Sequence, residues 1–181
     1  MSGSATAKYD FALFESTTAT TVGRGLTNAE TGYFPGTTTY AFEDPSWTLV
    51  DYGVNLPPVG RFIGNEQLIN GFTAVPGVAA GTTAQFVVVG WSDNLGSTLI
   101  ELEASLVNPG FNTVSFLGES AVSGPINLGD NVNSPAAILF SMNGYPYLQG
   151  FTLGEIAPEP AALAVATMGG LIWLAVRLNK A

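Results

Sequence analysis

Residues 1–156 predict an all-β fold, a two-sheet sandwich of immunoglobulin-like or jelly-roll-like type with one short helix, and residues 157–181 add a C-terminal transmembrane helix. Three observations carry this expectation. Short apolar or alternating runs recur along the first part of the chain, each bounded by turn-forming residues. Charged residues make up only 10% of the sequence while Gly numbers 22, a balance that suits a secreted β-protein better than a cytosolic enzyme. Near the end, Ala161–Val176 runs for sixteen residues without a charge and with Thr167 as its one polar side chain.

The first strand is read over Lys8–Phe14, with Tyr9, Phe11 and Leu13 on one face and Asp10, Ala12 and Phe14 on the other. Ser16–Thr21 is Thr-rich and polar, an edge strand or a loop. Thr37–Phe42 and Trp47–Val54 read as strands separated by the turn Glu43-Asp44-Pro45-Ser46. Leu68–Val75 follows, then a loop from Pro76 to Thr82. Ala84–Val89, continuing to Trp91, is the clearest strand: Phe86 and Val88 face one side, Gln85, Val87, Val89 and Trp91 the other. So apolar a run belongs at the centre of a sheet.

Thr98-Leu99-Ile100-Glu101 has the form of a capping box, and Leu99, Leu102 and Leu106 recur at helical spacing before Pro109-Gly110. A short helix is expected there; the rival strand would put Glu101 and Glu103 on one face. Phe111–Leu117 and Ala121–Leu128 return to strand, the second an edge at best because of Gly124-Pro125. Ala136–Ser141 and Tyr147–Leu153 form the last pair, around the turn signal Asn143-Gly144.

Composition removes whole classes of chemistry. With no Cys and no His, disulfides, thiolate or histidine metal sites and the Ser-His-Asp triad are excluded. Up to residue 156, Lys8, Arg24 and Arg61 stand against thirteen acids, so nucleic acid is not an expected partner. The acid and amide groups Asp93-Asn94, Asp130-Asn131 with Asn133, and Glu43-Asp44 lack the spacing of a calcium loop and read as solvated turns. Glu101 and Glu103 would suit a glycosidase only in a cleft at the right separation; an exposed charged face accounts for them as well. Trp47, Trp91, Tyr145 and Tyr147 would make a sugar-stacking platform if exposed, and core packing if not. Thr21-Val22-Gly23-Arg24-Gly25 matches no phosphate-binding motif. No cofactor is expected.

The tail has three parts: Pro158-Glu159-Pro160, the apolar run Ala161–Val176, and the basic end Arg177-Leu178-Asn179-Lys180-Ala181. Sixteen residues span ~24 Å as a helix. Leu178 extends the span to 161–178 if Arg177 snorkels its charge to the interface, and Trp173 lies near that end. Arg177 and Lys180 flank the anchor on one side, and the positive-inside rule puts that side in the cytoplasm and residues 1–156 outside. That topology requires an export signal, which Met1–Lys8 is not, so the chain is expected to be a fragment, a processed form or the product of a mis-started gene. A tail-anchored cytoplasmic protein is the competing arrangement.

This tripartite tail resembles the PEP-CTERM sorting signal of bacterial exported proteins. The resemblance covers the tail alone. It implies that Pro158, Glu159 and Pro160 form the sorting motif and that an exosortase-type enzyme processes the protein at the cell envelope. The function expected on this basis is that of a non-enzymatic surface or matrix protein. It would sit in the lipid bilayer by one pass and reach the cell surface or extracellular space after processing. The alternative is a carbohydrate-binding β-sandwich on the same anchor, with extracellular polysaccharide as partner.

Overall fold

The computed structural model describes residues 8–22, 40–56, 61–64, 74–107, 114–129, 135, 137, 139, 148 and 150–156. Within them the strands are β1 (Tyr9–Ser16), β2 (Thr48–Leu56), β3 (Arg61–Gly64), β4 (Thr83–Ser92), β5 (Ser115–Glu119), β6 (Ile126–Asn127) and β7 (Gly154–Ile156), with one α-helix, α1 (Leu99–Val107). The strands form one antiparallel sheet in the order β3-β2-β1-β4-β5-β7, with β6 also pairing with β4. The all-β expectation therefore holds, with the single helix where the capping signal placed it.

Alternation along β1 and β4 divides the apolar residues between two faces. Ala12 and Phe14 of β1 join Val87, Val89 and Trp91 of β4 in one core, which Leu102 and Leu106 of α1 cover together with Tyr40, Ala41 and Trp47. Phe11 and Leu13 lie on the opposite face with Phe86 and Val88, packed against Ile126, Leu128, Leu148 and Phe151. The sheet is thus buried on both sides at its centre, and β4 carries a nearly continuous apolar run for that reason.

A row of glycines interrupted by Phe11 crosses the second face. Gly64, Gly53, Phe11, Gly90 and Gly118 are successive cross-strand partners from β3 to β5. The Phe11 ring lies over Gly90, where an added Cβ would come within 2.8 Å of it. A Cβ at Gly118 would lie 2.6 Å from the Thr152 carbonyl oxygen. The glycines let residues 151–153 cross close to the sheet before β7 pairs with β5, and Phe151 meets Phe11 edge-on at 6.5 Å.

Several strand expectations are corrected. Of Thr37–Phe42, the described part does not extend: Ala41–Glu43 forms a turn of 3-10 helix. The Glu43 carboxylate accepts the Tyr40 N–H at 3.2 Å, and the Glu43 N–H donates to the Tyr40 carbonyl at 2.9 Å, so local bonds replace a ladder. Of Phe111–Leu117, residues 111–113 lie outside the described residues, Val114 is not in a strand, and the strand Ser115–Glu119 runs two residues past the expected end. Of Ala121–Leu128 only Ile126 and Asn127 pair as a strand. Residues 120–125 still run beside β4, but two serines take over the pairing. Ser120 donates its N–H to the Val88 carbonyl at 2.9 Å and accepts the Val88 N–H on its hydroxyl at 3.0 Å. Ser123 does the same for Phe86, at 2.8 and 2.9 Å. Two hydroxyls three residues apart thus serve two β4 residues that are two apart, which breaks the register of a regular strand.

At the C-terminal side, Leu148 and Gly150–Leu153 are not in a strand, and pairing begins only at Gly154. β3 had no counterpart among the expected strands. The remainder of Leu68–Val75, Ala136–Ser141 and Tyr147–Leu153 lies outside the described residues, as do the turn at Asn143-Gly144 and the expected helix 161–178.

Candidate functional site

The residues named for sorting and anchoring, Pro158, Glu159, Pro160, Arg177 and Lys180, lie outside the described residues. Among the described residues, no helix is long and apolar enough to cross a membrane. The described body ends with β7, whose last residue Ile156 is buried in the same core as Trp91.

The two glutamates weighed as a catalytic pair sit on α1. Glu101 caps it: its carboxylate accepts the Ser97 N–H at 2.8 Å, the Ser97 hydroxyl at 3.1 Å and the Thr98 N–H at 3.1 Å. The Thr98 hydroxyl oxygen in turn accepts the Glu101 N–H at 3.3 Å, completing the capping box read in the sequence. The Ser97 amide, first among these donors, holds the Glu101 carboxyl below its ordinary range. Glu103 is two residues away on a helix, where such neighbours do not face each other. The helix does not bring them together as a pair.

Of the aromatic platform, Trp47 is 6% exposed and Trp91 fully buried, so both belong to the core. The Trp91 indole donates to the Gly96 carbonyl at 2.6 Å. Tyr145 and Tyr147 lie outside the described residues. Of the acid and amide groups, Asp130-Asn131 with Asn133 lies outside the described residues, and Asp93-Asn94 and Glu43-Asp44 are turn chemistry. Asp93 holds Lys8 at 2.6 Å, and Asn94 donates to the Ser115 hydroxyl at 2.8 Å. Asp44 accepts the Ser46 N–H at 2.9 Å. Among the described residues, no group of three or more Asp or Glu side chains is arranged to hold a metal ion.

The ionisable groups most altered by the fold are elsewhere. Asp10 lies buried on β1 beside Asp93; burial pushes its carboxyl up, Lys8 opposes that, and one of its oxygens has no hydrogen-bond partner. Glu15, also buried on β1, has one oxygen without a partner, and burial raises it too. The largest carboxyl displacement belongs to Glu119, at the end of β5.

Glu119 pairs across from Val89 and so shares the α1-covered face of the sheet. Its carboxylate accepts the Ala41 N–H at 2.6 Å, which pins the 3-10 turn to the sheet. That bond favours the ionised form, but burial outweighs it and the Glu43 and Asp44 charges add repulsion, pushing Glu119 up to about 7. The same surroundings, burial first and then the Glu119 and Glu43 charges, push the Tyr40 phenol up to about 12. Glu103 of α1 is raised by burial and by Glu43. The Tyr40 and Phe42 rings stack at 5.5 Å and flank the turn. The sequence reading missed Glu119 because it ended the strand at Leu117. Continuing the alternation Ser115, Leu117 by one step puts an acid on the inward face, and that was the available signal.

No family model, no curated protein and no solved structure matches this chain.

Proposed function

We propose that this chain is a non-enzymatic bacterial surface or matrix protein, exported and held in the cell envelope by a single C-terminal membrane helix over 161–178, then processed by an exosortase-type enzyme. The tail sequence carries this reading: Pro158-Glu159-Pro160, sixteen uncharged residues and a basic end, in that order. Sixteen apolar residues with Leu178 nearly match a ~30 Å hydrocarbon core, and Arg177 and Lys180 favour the cytoplasmic side. The paired prolines keep the motif extended. The position of β7 is compatible with processing: its last residue, Ile156, precedes Pro158 by two positions, so a cut at the motif would leave every described strand intact. In this reading the body is a sandwich in which residues beyond the described sheet add the second layer. Burial of Trp47 and Trp91 takes two of the four aromatics, though not Tyr145 and Tyr147, from the platform of a carbohydrate-binding alternative.

The test is expression behind an export signal in a host that has an exosortase. Mass spectrometry of the mature protein should show the apolar tail gone near Pro158–Pro160. Changing Pro158, Glu159 and Pro160 to alanine should block processing while membrane insertion, which depends on Ala161–Val176, persists. An intact C-terminus on the unaltered protein would reject the sorting reading and leave a plain membrane anchor.

A further inference from the structure

The described strands come together at one end where the chain heads for its tail. Ser115 of β5 pairs with Ile156 of β7, and the Ser92 hydroxyl at the end of β4 accepts the Phe116 N–H at 2.9 Å. Val114, the residue before Ser115, is 54% exposed. At the same end β4 passes through the 3-10 turn Asp93–Leu95 into the first turn of α1, where Ile100 is 79% exposed. The Trp91 indole fixes that connection at Gly96, and Asn94 reaches from it to the Ser115 hydroxyl at 2.8 Å. Helical Cβ atoms tilt towards the helix N-terminus, which directs Ile100 back past the start of α1. Among the described residues, Ile100 and Val114 are the large apolar side chains that stand exposed, and both belong to this end. At the opposite end of β4 the loop before Thr83 packs Val75 and Val78 against the core. The acids at the surface near Ile100 are held: Asp93 by Lys8 at 2.6 Å, and Glu101 by the Ser97 and Thr98 amides. Glu155 of β7 is the further exposed acid there.

We propose that this end of the sheet faces the membrane, with Ile100 and Val114 seated among the headgroups of the bilayer that holds the tail. The inference rests on the reading of the tail as a membrane anchor. Five residue steps separate Ile156 from Ala161, the first residue of the apolar run, and a chain of that length reaches at most ~17 Å. So short a tether keeps the sheet end near the headgroups without pressing it into them. Two aliphatic side chains supply the attraction, each worth on the order of 10-fold in the ratio of docked to free domain. The tether makes that sufficient, because it turns docking into an intramolecular step at high effective concentration. Without it, two side chains would not hold so acidic a body on a bilayer, and docking ends when the tail is removed. The loop before Thr83 then faces away from the membrane.

The test uses the full chain reconstituted in phosphatidylcholine vesicles. The sequence has no cysteine, so Ile100→Cys, Val114→Cys and, at the opposite end, Ala80→Cys each carry one bimane label. Lipids with a nitroxide headgroup should quench the first two labels several-fold more than the third. Equal quenching of all three on chains that float with the vesicles would overturn the docking and leave the anchor reading intact. Chains that do not float with the vesicles would overturn both. Labels at Ile100 and Val114 shielded from aqueous iodide but untouched by the nitroxide lipid would place a second copy there and overturn the docking. A label at the exposed Ala104, one helical turn from Ile100, then reports on the variant Ile100→Ser, Val114→Ser, whose changes lie at the surface and spare the core. Its docked-to-free ratio should fall on the order of 100-fold, and the label should lose its quenching while the chain still floats. Quenching that survives in the double variant would overturn the role of these side chains.

Discussion

Removing the hydroxyls of Ser120 and Ser123 should destabilise the protein out of proportion to the atoms lost. In Ser120→Ala and Ser123→Ala the missing oxygens are the acceptors for the Val88 and Phe86 amides. Both amides lie in the middle of β4, where Phe86 is 0% and Val88 2% exposed, so water has no route to replace the acceptor. A buried donor left without a partner costs ~1–3 kcal/mol. The hydroxyls also donate to the Ala121 and Gly124 carbonyls, but those two residues are exposed and their oxygens can turn to water at little cost. Each single change should therefore cost ~1–3 kcal/mol and the pair ~2–6 kcal/mol, against a total stability of ~5–15 kcal/mol for a domain. Urea melts of the two single variants and the double variant give the numbers directly. Amide exchange at Phe86 and Val88 should quicken more than at Val87 and Val89. A double variant within about 1 kcal/mol of the unaltered protein would refute the reasoning, since it would mean that these amides find other acceptors.

Further outcomes can be measured on the same preparations. Gly96 has φ +110°, and a Cβ there would collide with the Glu101 Cβ, so Gly96→Ala should strain the turn and displace the acceptor of the Trp91 indole; a loss of ~3–5 kcal/mol of unfolding free energy in urea melts is expected, and a loss under about 1 kcal/mol would contradict it. Glu15→Leu should raise the melting temperature at pH 8, because a buried carboxyl raised by desolvation weakens the fold wherever it is ionised, and the gain should shrink as pH falls into the ordinary glutamate range; a gain equal at pH 4 and pH 8 would argue against that cause. Chelators should leave the melting temperature unchanged, and a drop restored by calcium would reveal a site that the described carboxylates do not form. A chain ending at Ala157 should stay soluble with a cooperative melt and a β-type circular dichroism spectrum, and a mainly helical spectrum would count against the described sheet.

What could be read directly from the sequence was local. β1 and β4 announce themselves by alternation, and the faces assigned to Phe11, Leu13, Phe86 and Val88 are those the sheet adopts. α1 was legible because its cap is self-contained: Thr98 and Glu101 bond each other across one turn, whatever surrounds them. The absence of Cys and His, the acidity of the body and the three-part tail are likewise properties of the chain itself. Tertiary structure decided whatever depended on a distant partner. Ser120-Ala121-Val122-Ser123 resembles strand sequence until β4 offers its amides to the hydroxyls and the ladder slips. Thr37–Phe42 reads as a strand, yet Glu43 and Glu119 capture the Tyr40 and Ala41 amides and the chain turns there. Gly90 and Gly118 look like breakers in sequence, but they make room for Phe11 and for the crossing at Thr152. Glu119 is an ordinary glutamate in the chain. Its altered titration arises because folding buries it beside Glu43 and Asp44, residues more than seventy positions away, and a sequence window cannot contain the desolvation and repulsion that result.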